Sequence, residues 1–385
     1  MAITEGISIF HLVVAAIVVG IIGWIGYRIS VLRFTPAPTK GWGDRDYDGM
    51  RSSRKGVFSD ATFPPTTPIN RFAIATANYG GVMTDPASLT NPFIGIVMTE
   101  AARLQVDAGA RAIIFDVWPD PADRDRPTVV TMANANDSMM VTAGGLDKGV
   151  GRYSQWKQLT RNSAPLGDIM KAAVDTAFTG PQSTDPFFVV LKLHGTMTAA
   201  YLNVMGNIVS SVIGGHAMGG NWNKCANQSA MNTEPISTFR SKVFLIVIPE
   251  IQPGYDPLPN VTTYGGFMNT YRNTTMWEAT NAMEMTQPNT ILFEPSGLAM
   301  ITTTTEVNGV PQTLAQSGIC VVQPSTGGRS AANPALFNDA SYTTCLKSGA
   351  QMVAVNLLGQ SEGDETLSTF FDKSNFGSYS FRLIA

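Results

Sequence analysis

The sequence predicts an α/β fold, a closed β/α barrel built from short parallel strands. Two observations carry this. Short β-rich apolar runs alternate with helical stretches over about 300 residues, the pattern of repeated strand–helix units. Several of the runs are continuously apolar, as strands covered on both faces are. The strand candidates are Arg71–Ala75, Ala112–Val117, Thr128–Met132, Phe187–Leu193, Val243–Ile248, Thr290–Glu294, Ile319–Val322 and Met352–Leu357. The helix candidates are Gly95–Ala108, Leu166–Phe178 and Thr198–Ile213.

Two segments precede the barrel. From Ile7 to Tyr27 the chain runs ISIFHLVVAAIVVGIIGWIGY without a formal charge. About 20 such residues at 1.5 Å rise cross a hydrocarbon core of roughly 30 Å. Trp24 and Tyr27 stand where interfacial aromatics belong, and Arg28, Arg33 and Lys40 follow, whereas Glu5 precedes. A cleaved signal peptide has its positive charges first. The expectation is a retained transmembrane helix within residues 1–33, with the C-terminal domain on the cytosolic face and the lipid bilayer as one partner. Residues 34–70 are rich in Pro, Gly and mixed charge, which predicts an irregular tether. Residues 71–385 then form the barrel, with one half at about 71–250 and a second at about 285–385.

Composition narrows the function classes. The 385 residues carry a net charge of -3 and 14% charged residues, with no basic stripe, so nucleic acid is not an expected partner. Cys225, Cys320 and Cys345 are too few and too widely spaced for a disulfide framework or a zinc site. They fit a reducing compartment.

Five strings, in order, resemble the phosphoinositide-specific phospholipase C family. GARAIIFDVWPD (Gly109 to Asp120) is similar to that family's G-C-R-C-x-E-x-D-x-W-D, and PFFVVLKLHG (Pro186 to Gly195) to its P-V-I-L-S-L-E-N-H. SKVFLIVIPE (Ser241 to Glu250) sits at its G-K-x-L-x-K. SGAQMVAVNLLGQ (Ser348 to Gln360) resembles its G-C-Q-M-V-A-L-N-x-Q, and FDKSNFGSYSFRL its C-terminal motif. The resemblance implies a distorted TIM barrel in two halves, and a reaction in which a neighbouring inositol hydroxyl cleaves a phosphodiester. That chemistry uses two histidines and a Ca²⁺ held by carboxylates and an Asn.

Carried over residue by residue, most of that set is replaced. The string ATANYG puts Ala77 at the first histidine and keeps Asn78 beside it; the second histidine falls at approximately Thr131. The three metal carboxylates fall on Ile114, Asp116 and Lys192, of which Asp116 alone is acidic. His194 matches a family histidine without catalytic duty. The substrate lysines fall on Ile246 and Ile248, and the phosphate-holding arginine on Val321. The resemblance therefore implies no Ca²⁺ and a vestigial site of Asn78, Ile114, Asp116, Lys192, His194 and Val321. An ion pair between Lys192 and Asp116 is expected to replace the metal. His216, in GGHAMGGNW, is expected to be an ordinary loop histidine.

Three functions follow as expectations. The first is a chain that is no enzyme, a membrane-anchored scaffold of the kind found as a minor capsid protein linking an internal viral membrane to the shell, with other structural proteins as partners. The second is an active phosphoric diester hydrolase with His194 or His216 recruited. The third is a lipid-head-group binding module without turnover.

Overall fold

The computed structural model describes residues 54–59, 61–84, 95–120, 122–134, 156–158, 160–195, 198–218 and 234–249. Further along it describes 270–271, 290–293, 304–307, 310–313, 319–322, 350–355, 376 and 378–384; before residue 54 it describes Val18 alone. The expected membrane segment thus lies outside the described residues, Val18 excepted. Among the described residues no helix is long and apolar enough to cross a membrane.

Eight parallel strands make the core: β1 (Phe72–Ala77), β2 (Ala112–Pro119), β3 (Phe187–Leu193), β4 (Val243–Pro249), β5 (Thr270–Tyr271), β6 (Thr290–Phe293), β7 (Ile319–Val322) and β8 (Met352–Val355). The hydrogen-bonded order is β5–β4–β3–β2–β1–β8–β7–β6. That is the chain order of a β/α barrel with β8 beside β1; β5 and β6 end the path without pairing among the described residues. The fold is thus a mixed α/β barrel. A ninth strand, β9 (Phe381–Leu383), runs antiparallel along β1, with Ile74 opposite Phe381.

Alternation along the strands sorts the two faces. Phe72, Ile74, Ala112, Ile114, Phe188, Val190, Phe244, Ile246, Val321, Met352 and Ala354 share one buried cluster inside the barrel. Register stacks them in levels: Ala112 beside Phe188 beside Phe244, then Ile114 beside Val190 beside Ile246. The next level towards the strand C-termini holds Asp116 and Lys192. The interior therefore turns from apolar to ionisable at the end where barrels of this kind carry their chemistry. Ile114 and Val321 are core residues, 1% and 0% exposed.

Three helices cover the described outer face. α1 (Thr99–Asp107) stops at Gly109, whose φ of +105° suits a residue without a side chain. α2 (Leu166–Ala177) follows Pro165 and buries Leu166, Ile169, Met170 and Val174. α3 (Ala199–Ile213) is capped by Thr198, whose Oγ1 accepts from the Tyr201 N–H at 3.0 Å, and it ends at Gly214 with φ +50°.

Two sequence expectations are corrected. Thr128–Met132 is not a barrel strand. Residues Pro127–Val129 return antiparallel along β2, with Val117 opposite Val129. Only residues 120–126 separate β2 from this run, too few for the crossover that a parallel neighbour needs. The barrel's fifth strand is instead Thr270–Tyr271, two residues with no apolar run to mark them.

The second correction concerns the tether. Residues from Arg54 onward form the barrel's floor. Val57, Phe63 and Ile69 belong to the interior cluster, and Phe63 packs edge-on to Phe72 and Tyr379 at 5.7 and 4.9 Å. The Arg54 guanidinium donates to the Tyr379 carbonyl at 3.0 Å, the Lys55 N–H to that of Ser378 at 2.7 Å, and the Val57 N–H to Asp185 Oδ1 at 2.8 Å. The segment is irregular, as its prolines demand, yet it is part of the core because its widely spaced apolar residues plug the strand N-termini.

Candidate functional site

The barrel mouth is built from the ends of β1, β2 and β3. Asp116 and Trp118 lie on alternate positions of β2, so both side chains take the face of Ile114. Lys192 on β3 and His194 just past its end do the same, and the His194 N–H donates to the Val117 carbonyl at 2.9 Å, which fixes the register. His194 Nε2 and Asp116 Oδ1 are 3.0 Å apart, with both side chains 5% exposed. Trp118 lies flat on the His194 ring, centroids 4.6 Å apart and planes within 2°. The Asp116 hydrogen bond and the Trp118 face both hold the imidazole.

Burial acts on Asp116 to raise its pKa. The His194 hydrogen bond, the charge of His194 and the charge of Lys192 outweigh burial and hold the carboxyl below its ordinary value. An ionised Asp116 accepts hydrogen bonds and donates none, so His194 carries its proton on Nε2 and donates it to Oδ1.

The expected Lys192–Asp116 ion pair is corrected here. Among the described residues the ion-pair partner of Asp116 is His194. The two residues do sit side by side in register. Lys192 is half-buried. The shorter, flat imidazole reaches the carboxylate from one pleat further along. Lys192 still acts on Asp116 through its field.

Other expected positions spread apart. Ala77 lies on the face opposite Phe72 and Ile74 by alternation, away from the interior, whereas Asn78 is on the interior side and its N–H donates to the Val355 carbonyl at 2.7 Å. Thr131 is 2% exposed, and its neighbours Val130 and Met132 are the residues that pack on Trp118. An apolar wall thus stands where the second histidine was sought. His216 belongs to the opposite end of the barrel. Its Nδ1–H donates to the carbonyl of Ser241, just before β4, at 2.9 Å, and its ring stacks on Phe178 at 3.7 Å. A calcium ion would find one carboxylate at the three family positions, already bonded to His194, beside Ile114 and the Lys192 ammonium. Such a set does not fit an ion that takes six to eight oxygens. Among the described residues no group of three or more His, Cys, Asp or Glu could hold a metal.

Two residues of the mouth were missed in the sequence. The Gln105 side chain, 0% exposed, reaches from α1 under the turn that follows β1: its Oε1 accepts from Gly81 N–H at 2.9 Å, and its Nε2 donates to the carbonyls of Tyr79 at 3.0 Å and Asn78 at 3.4 Å. Tyr79 sits in that turn with φ +52°. Burial first, and then the charge of Asp116, push its phenol pKa up. A lone glutamine on a helix carries no sequence signal of such a role.

Against solved structures the likeness is to phospholipases C. PLC21 of L. pealei matches with a TM-score of 0.55 at 11% identity, over 85% of this chain and 38% of that one. PLC21 of S. officinalis matches with a TM-score of 0.53 at 11% identity and the same coverage. The fold resembles the phosphoinositide-specific phospholipase C barrel. The phosphatidylinositol-specific phospholipase C of Listeria monocytogenes matches with a TM-score of 0.42 at 13% identity, over 82% of this chain and 96% of that one. The chain spans about two fifths of the length of the PLC21 proteins, 38% in each case. At such identities the likeness is one of fold alone. No protein-family model and no curated protein matches the chain.

The expectation that the chain is no enzyme is therefore corrected. The solved chains that share its fold include PLC21 of L. pealei and PLC21 of S. officinalis, and the likeness to them reaches no further than the fold. The inference from missing histidines counted residues at aligned positions, and it left out a histidine–carboxylate couple assembled at the mouth from His194 and Asp116.

Proposed function

We propose that the barrel is a phosphoric diester hydrolase of phosphoinositide-type lipids, working without calcium, with His194 and Asp116 as its proton-transfer couple. The observation that carries this is the buried 3.0 Å bond between His194 Nε2 and Asp116 Oδ1 at the C-terminal ends of neighbouring barrel strands. In this reading the His194 imidazole takes the proton of the inositol hydroxyl next to the phosphate. That oxygen forms a bond to phosphorus as the bond to the diacylglycerol oxygen breaks, and the imidazolium returns its proton to the leaving alkoxide. Asp116 holds the ring in the required tautomer and stabilises its positive form. The Lys192 ammonium, at the mouth and half-buried, offsets charge on the phosphoryl oxygens where the family places a divalent ion.

The expected membrane anchor, Ile7 to Tyr27, supports a lipid substrate, since it would hold the barrel at a bilayer surface. The test is release of inositol phosphate from phosphatidylinositol vesicles by the full-length chain in excess chelator. Turnover that is indifferent to the chelator is expected. No turnover, or turnover that appears only on adding calcium, rejects the reading.

A further inference from the structure

Tyr79 combines two unfavourable features. Its φ of +52° lies in a region that residues other than glycine rarely occupy. Its side chain is 2% exposed, and among the described residues its phenol oxygen has no hydrogen-bond partner. A buried hydroxyl in that state has given up its bonds to water for nothing in return. The surrounding backbone holds it there. Gln105 Nε2 donates to its carbonyl at 3.0 Å, that carbonyl also accepts from the Val82 N–H at 2.9 Å, and the next residue's N–H, that of Gly80, donates to the Ile114 carbonyl at 2.8 Å. Gly80 and Gly81 flank the turn on its far side. A Cβ on Gly80 would stand 2.5 Å from Ile113 and Phe115, so the chain cannot shift that way. Strain fixed by the surroundings is characteristic of ligand sites.

The residue stands just past the C-terminal end of β1, at the end of the barrel that holds Asp116 and His194, and the charge that acts on its phenol is that of Asp116. We propose that Tyr79 is a ligand-binding residue of the mouth, its O–H donating to a neutral hydroxyl oxygen of a polyol head group. The ligand class rests on the hydrolase reading above. A hydroxyl suits the position better than a phosphoryl oxygen. The ionised Asp116 disfavours a second anion beside it, whereas a hydroxyl can accept from Tyr79 and still present its own proton to the His194–Asp116 couple. A phenol is a donor throughout the neutral range, and the raised pKa of Tyr79 only widens that range.

The experiment is calorimetric titration of the full-length chain, in detergent micelles, with myo-inositol. Tyr79→Phe removes one oxygen and fills the same space. It is expected to bind myo-inositol roughly 5- to 10-fold more weakly than the wild type, the effect of one neutral hydrogen bond, with a melting temperature at or above that of the wild type. Equal affinity in the two proteins, or a wild type that binds no myo-inositol, overturns the proposal. A second measurement leaves the phenol in place: the fluorine resonance of 3-fluorotyrosine at position 79 should shift on adding myo-inositol, and an unmoved resonance also overturns it. Both readouts are independent of turnover. Inositol binding that depends on the phenol in a chain without hydrolysis rejects the hydrolase reading alone. Hydrolysis at an unchanged KM in Tyr79→Phe rejects this proposal alone.

Discussion

Asp185 should make the barrel less stable as pH rises, and Asp185→Asn should remove that dependence. Asp185 is 0% exposed at the barrel floor. Its Oδ1 accepts from the Val57 N–H at 2.8 Å, and among the described residues its Oδ2 has no partner. The neighbouring Arg111 spends its guanidinium on backbone carbonyls, those of Ala177 and Asp185 at 2.8 Å and of Pro186 at 3.3 Å, so it acts on the carboxylate only through space. Burial pushes the carboxyl up to about 7, against the opposing pull of Arg111, the Val57 N–H and Arg240. An unfolded aspartate titrates near 3.9. Between these values the folded state binds the extra proton. The stabilisation is therefore complete below about pH 4, declines as pH rises, and is gone above about pH 7. About three pH units at 1.36 kcal/mol each set an upper bound of about 4 kcal/mol. Asparagine keeps the acceptor for Val57 and carries no charge, but its amide places donors where Oδ2 has no partner, at a penalty of about 1 kcal/mol. Thermal unfolding of the full-length chain should show Asp185→Asn more stable than wild type by about 2–3 kcal/mol at pH 8, and no more stable at pH 4. A variant that is less stable at pH 8, or a gap that does not change with pH, refutes the reasoning.

Two further substitutions test the supports of the mouth and the floor. Gln105→Leu should destabilise the chain by about 2–4 kcal/mol in chemical unfolding, because Gly81 N–H loses a buried partner, and it should weaken myo-inositol binding as the Tyr79 turn relaxes. Gly109→Ala should cost about 2 kcal/mol or more: φ is +105°, and the new Cβ would stand 2.4 Å from Arg54 Cδ and Nε, so faster proteolysis near residue 54 should accompany it.

Most of the barrel was legible because its strands announce themselves. The run AIIFDVWP is apolar on both faces, as a covered parallel strand must be, and FFVVLKL repeats the pattern. What failed were features set by connection rather than composition. Thr128–Met132 has strand chemistry, but the seven residues before it cannot hold a crossover, and Thr270–Tyr271 is a barrel strand by position alone. The floor was hidden because Val57, Phe63 and Ile69 follow no period. At the site, the string around Asp116 lies at the C-terminal end of its strand, but comparison of positions cannot see which side chain reaches which. His194 had no duty in the resemblance and entered only as a residue to recruit, and Lys192 was expected to pair with Asp116, yet the flat ring two residues along makes the contact. Gln105 and Tyr79 had no signal at all, since their roles come from a turn with positive φ and from a helix crossing beneath it.

The central claim is that His194, held by Asp116, moves the proton in phosphodiester cleavage. The most direct measurement sets the full-length wild type beside His194→Gln, both in chelator, and follows inositol phosphate released from phosphatidylinositol vesicles. Measurable turnover in the wild type and a loss of roughly 10²- to 10⁴-fold in the variant is the predicted result. Equal rates in the two proteins, or a wild type that releases nothing, contradicts it.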